Sequence, residues 1–170
     1  MGALESESGK FKRLVARGRT ALSQEKFYKA SLDLRQAVKI KKDNAEIHLL
    51  LARSLMWIGY FRDAVGAYEE SVRIDPANAD ALTELVAALL NFGHLDRAER
   101  YALMLEKLRP NNPGVRIVLR DLFLLGGKLD RALGEVVRAI QLGSNTAASY
   151  VVLGNIYARR RLREQAEEAY

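Results

Sequence analysis

Few residues in this chain could do chemistry. The two histidines, His48 and His94, stand apart, and neither has a second histidine or a carboxylate three or four positions further on. A metal pair on one helix face is therefore not indicated. Cysteine is absent, which removes thiolate nucleophiles, disulfides and cysteine–zinc sites. No Gly-x-Ser-x-Gly elbow and no phosphate-loop lysine motif occurs. The acidic pairs Glu69–Glu70 and Glu167–Glu168 fall where a helix faces solvent. His48 reads as a packed residue and His94 as a turn residue. The chain is expected to be no enzyme, with no catalytic residue, metal or cofactor.

What the sequence does contain is repetition. Gly93 to Ala98 reads GHLDRA, Gly127 to Ala132 reads GKLDRA, and Gly59 to Ala64 reads GYFRDA, each 34 residues from the next. Ala30, Ala64, Ala98, Ala132 and Ala166 make a ladder at the same interval, as do Leu51, Leu85, Leu119 and Leu153. Pro76 and Pro110 keep the spacing too. A fixed period of this size means stacked supersecondary units.

Each period has helical patterning. Leu82, Leu85, Val86 and Leu89 recur at three- and four-residue steps, one face of a first helix. Gly93 then allows the left-handed turn. Asp96 suits the positive end of a second helix, whose buried stripe is Ala98, Ala102, Leu105 and Leu108. The alanine column lets two helix backbones approach closely. A lone hairpin cannot bury both faces, so neighbours must stack. The expected fold is all-α: a right-handed superhelical solenoid of antiparallel helix hairpins.

On these residues the chain resembles the tetratricopeptide repeat (TPR) family. The family pattern of an aromatic, Leu, small residue and Tyr in a first helix, then Ala, aromatic, Ala and Pro, is met at 147–170 by Tyr150, Leu153, Gly154, Tyr157, Ala166 and Tyr170. Leu51, Ala52, Ala64, Tyr68, Ser71 and Pro76 meet it at 45–78, and Gly18, Ala30, Ala37 and Ile40 at 11–44. The resemblance implies one solenoid over 11–170, in units 11–44, 45–78, 79–112, 113–146 and an incomplete 147–170. Residues 1–10 read as a disordered tail or cloning remnant, although Met-Gly-x-x-x-Ser formally fits a myristoylation pattern. Val86 and Arg120 replace the small residue of the first helix, so altered packing is expected there. Arg161 replaces the turn glycine, so a different final turn is expected. The last helix has no capping neighbour, which suggests a longer parent chain or closure on a second copy.

By the same resemblance, the function is a protein-interaction scaffold whose first helices line a groove for a partner segment. The residues expected there are Arg19, Leu49, Arg53, Trp57, Glu84, Ile117, Asp121, Leu124 and Asn155, with Lys12, Val15, Ala16, Leu22, Leu50, Met56, Asp80, Thr83, Ala87, Asn91, Val118, Leu125, Val151, Val152 and Arg159 alongside. Arg19 and Arg53 should lie side by side and meet acidic groups, while Leu49, Trp57, Ile117 and Leu124 accept apolar ones. Trp57 could instead pack within its own hairpin. The two-carboxylate clamp of chaperone-binding TPR domains finds no register, and Asp80 and Glu84 would repel a carboxylate. The expected partner is a protein or peptide segment with apolar and acidic residues.

Charge leaves one competing class. Residues 1–44 carry 11 basic and 5 acidic side chains, against 16 and 16 in the remainder. Phe11, Phe27 and Tyr28 are interleaved with them. A nucleic-acid adaptor built on this basic unit is the alternative, disfavoured because the charges spread around both helices and no RNA-binding motif appears. Self-association through the last helix is another. A cytoplasmic location is expected, since neither a signal peptide nor a run of about 20 apolar residues is present.

Overall fold

The computed structural model describes residues 6–170, and among these it contains ten α-helices and no strand. They are α1 (Glu7–Ser23), α2 (Phe27–Ile40), α3 (Ala45–Trp57), α4 (Phe61–Ile74), α5 (Ala79–Asn91), α6 (Leu95–Leu108), α7 (Pro113–Leu125), α8 (Leu129–Gln141), α9 (Ala147–Arg159) and α10 (Arg163–Ala169). The all-α hairpin repeat is thus present as the periodicity demands. Helix α1 starts earlier than expected. Ser6 caps it, accepting from the Gly9 N–H at 3.1 Å, so residues 7–10 are helix rather than tail. Residues 1–5, which hold the rest of the expected tail and the Met-Gly of the lipidation pattern, lie outside the described residues. No described helix is long and apolar enough to cross a membrane.

Each first helix from α3 to α9 opens on a residue of one further 34-residue column: Asn44, Asn78, Asn112 and Thr146. Their side-chain oxygens accept from the N–H of Ile47, Ala81, Gly114 and Ser149, respectively. These bonds satisfy amides that a helix start leaves without partners.

The five hairpin turns share one backbone form. Gly59, Gly93 and Gly127 have φ of 82°, 72° and 69°. At the first, Gly59 N–H donates to Met56 carbonyl at 3.2 Å and Tyr60 N–H to Leu55 carbonyl at 2.9 Å. The last turn does not differ, contrary to the expectation from Arg161. That residue takes φ 61°, donates to Ala158 carbonyl at 2.9 Å, and Leu162 donates to Tyr157 carbonyl at 3.0 Å. Glu25 does the same at the first turn with φ 57°. The interlocked helix-end bonds fix the conformation, and the side chain bears the strain.

The alanine ladder is buried throughout. By contact density the chain divides into two compact units, one ending at Ala81 and the other running from Leu82 to Tyr170. In the first, α1 to α4 pack in sequence, and α1 also touches α3 directly. Gly18 permits the close approach of α1 and α2: a Cβ there would lie 2.7 Å from Leu34 Cγ. His48 is buried, with Nε2 donating to Lys42 carbonyl at 2.8 Å, the structural role its position suggested. In the second unit, Leu82, Leu85, Val86, Leu89, Leu105, Leu119 and Val136 form the core. Val86 is accommodated there in full burial, while the long side chain of Arg120 turns its guanidinium to Asp121, 2.7 Å away.

Candidate functional site

Three first helices of the second unit supply a groove, and the repeat dictates which residues line it. Successive contributions along a helix fall at steps of three and four, which keeps them on one face. Corresponding residues on successive helices fall 34 apart. Ala87, Asp121 and Asn155 make one such row; Leu90, Leu124 and Ala158 a second; Asn91, Leu125 and Arg159 a third.

A cavity of about 370 Å³ lies between α5 and α7, lined by Ala87, Leu90, Asn91, Val118, Asp121, Leu124 and Leu125. A second, of about 450 Å³, lies between α7 and α9, lined by Leu124, Val152, Asn155, Ile156, Ala158 and Arg159. Leu124 is the wall between them. Both floors are apolar, and Leu125 is 59% exposed at the rim. The polar groups are few. The Asp121 carboxylate is held by Arg120. Asn155 Oδ1 accepts from Tyr170 Oη at 2.7 Å, and the Tyr170 ring lies against Gly154. Arg159 is exposed and forms no ion pair among the described residues.

Of the residues expected to meet a partner, Asp121, Leu124 and Asn155 are brought together at these cavities. The other expected residues are not. Ile117 is half-buried on α7 outside both cavities, and Glu84 is half-buried on α5 and already engaged. In the first unit Leu49 is only 6% exposed, as is its repeat equivalent Val15 at 9%. There α1 and α3 are in direct contact. Arg19 is paired with Glu46 of α3, and Arg53 is half-buried and also engaged. Trp57 does not pack within its own hairpin. Its ring stacks on Phe27 of the preceding hairpin, centroids 5.1 Å apart and planes 10° from parallel, and stays 72% exposed.

Sequence reasoning missed the most buried charge. Arg116, at the start of α7, is 4% exposed. It donates to Glu106 of α6 at 2.6 Å, to Glu135 of α8 at 3.0 Å, and to the Pro110 carbonyl. Burial opposes its charge, but the two carboxylates outweigh that and hold its pKa above the usual guanidinium value. Its partners lie 10 and 19 residues away in sequence, so no local pattern announces them. A second cluster joins Glu99 of α6 to Lys128 at 3.1 Å and Arg131 at 3.2 Å. The Lys128 hydrogen bond, against partial burial and with help from Arg131, holds the Glu99 carboxyl below the usual glutamate range. Among the described residues, no group of three or more His, Cys, Asp or Glu side chains could hold a metal ion.

MamA of Desulfovibrio magneticus RS-1 superposes on this chain with a TM-score of 0.88, covering 96% of this chain and 93% of that one at 16% identity. YrrB, described as a TPR protein with an unusual peptide-binding site, gives 0.80 over 92% and 80% at 18% identity. The fold is that of a tetratricopeptide-repeat protein. In sequence, this TPR chain is 30% identical over 132 residues to the probable UDP-N-acetylglucosamine–peptide N-acetylglucosaminyltransferase SPINDLY of Hordeum vulgare. That match takes in 70% of this chain but spans only 14% of the relative's length. No family model matches the TPR chain.

Proposed function

We propose that this TPR chain is a non-catalytic protein-interaction module, and that the double cavity about Leu124 seats two apolar side chains of a partner's segment. The carrying observation is the pair of apolar cavities divided by one leucine and rimmed by only a few polar groups. That composition suits anchoring side chains in water-excluding pockets. YrrB, similar in fold, is described as having a peptide-binding site, which agrees with this reading. Arg159 at the open end favours an acidic group on the segment next to its second anchor. A chaperone-type carboxylate tail is not the proposed ligand, because no register of this sequence supplies the two-carboxylate clamp.

Peptides selected from a random library on the full chain test this reading. They are expected to carry paired apolar residues and to lose about tenfold or more in affinity for Leu124→Asp, a cost of about 1.4 kcal/mol. Circular dichroism of the variant should be unchanged, because Leu124 is only half-buried. Selected peptides that bind Leu124→Asp and Leu125→Asp as well as the original chain would overturn it.

A further inference from the structure

We infer that the Phe27–Trp57 stack is a platform on which single-stranded nucleic acid lays a base. The stack joins the first turn of α2 to the last turn of α3, so it exists only once two successive hairpins have packed. One face of the Trp57 indole is covered by Phe27, and most of the ring remains in water. An indole fixed in this way is pre-oriented, and base stacking on such a ring is sequence-tolerant because every base has a π-face. Tyr28 and Tyr60, 63% and 54% exposed, stand beside Phe27 and three residues beyond Trp57, respectively.

The charges nearby fit an anionic strand. Lys29 in the first turn of α2 and Arg62 in the first turn of α4 are exposed and form no ion pair among the described residues. Lys26 reaches only the neutral Gln24 side chain, at 2.9 Å. The acids here are Glu25, in the turn, and Asp63, whose carboxylate is taken up by Arg35 at 2.6 Å. Lys26 and Lys29, which flank Phe27 in sequence, and Arg62, five residues beyond Trp57, add backbone neutralisation to the base stacking, which a basic helix face alone does not. The basic side chains of residues 1–44 spread around both helices of the first hairpin. The fold adds a base-stacking surface by bringing Trp57 to Phe27 from 30 residues away.

Trp57 is the only tryptophan in the chain, so its emission reports on the platform directly. The full chain would be titrated with a uridine 12-mer and, separately, with inorganic polyphosphate as a base-free polyanion. Saturable quenching by the oligonucleotide but not by polyphosphate is expected. By anisotropy of a labelled 12-mer, Trp57→Leu should weaken binding about tenfold and Trp57→Phe much less. Lys29→Glu with Arg62→Glu should weaken it and flatten its salt dependence. Equal quenching by polyphosphate, absence of quenching, or a Trp57→Leu variant of undiminished affinity would each overturn the proposal. So would quenching by acidic peptides in place of the oligonucleotide. Exposure of the indole means that loss of fold does not confuse the result.

Discussion

Arg161 holds at the last hairpin turn the left-handed backbone that Gly127 holds one repeat earlier, with φ 61° against 69° and the same pair of hydrogen bonds. A side chain in that region costs about 1–2 kcal/mol, of which glycine's greater freedom in the unfolded chain returns part. Arg161→Gly is therefore expected to stabilise the chain by about 0.5–1 kcal/mol, and Glu25→Gly by a similar amount. Thermal melts should rise by about 2–4 °C per kcal/mol for a chain of this size. A fall in either melt would show that the arginine or glutamate side chain contributes more than its strain.

Glycines within helices separate into two kinds. At Gly18 a methyl group would strike the branch point of the Leu34 side chain, not a flexible tip. Gly18→Ala should destabilise by about 1–3 kcal/mol in urea unfolding. At Gly66 of α4 and Gly134 of α8 an added Cβ meets nothing within 4 Å. Alanine at each should stabilise by about 0.5–1 kcal/mol.

Arg116 ties α6, α7 and α8 together, and its removal leaves Glu106 and Glu135 without their common cation. Arg116→Ala is expected to cost about 3 kcal/mol, measured as the shift of the denaturant midpoint at constant slope. A loss below about 1 kcal/mol would mean that water replaces the guanidinium.

The Glu99 cluster has a pH signature. Its carboxyl titrates lower in the folded chain than in the unfolded one. Its stabilisation is thus complete above the ordinary glutamate pKa and fades as the pH falls through the lower folded value. Glu99→Gln should be less stable than the original chain at neutral pH, and the two should converge in acid. Parallel curves over that range would contradict the assignment.

Much of the fold was legible because a period repeats its own evidence: the alanine ladder and the turn glycines recur where α-helices must approach or end. The cap column at Asn44, Asn78, Asn112 and Thr146 was equally visible and went unread because its residues lie between the apolar stripes. Of the expected groove residues, Asp121, Leu124 and Asn155 fall on the two cavities of the second unit. Leu49 and Leu124 both fall on first helices, yet one is sealed and the other lines two cavities, because helix approach and not residue type decides exposure. Trp57 was misplaced for a similar reason: its partner belongs to another hairpin. Arg116 lay beyond reach, since one arginine among 27 basic residues gives no sign that two distant glutamates will close on it.

Leu124 stands between two chambers and belongs to both. A guest that swings its side chain aside to enlarge one chamber takes that space from the other. Two anchors of one bound segment would therefore sense each other through a single rotamer. Their individual truncation energies should fail to sum, and the shortfall should vanish once position 124 is shortened to alanine.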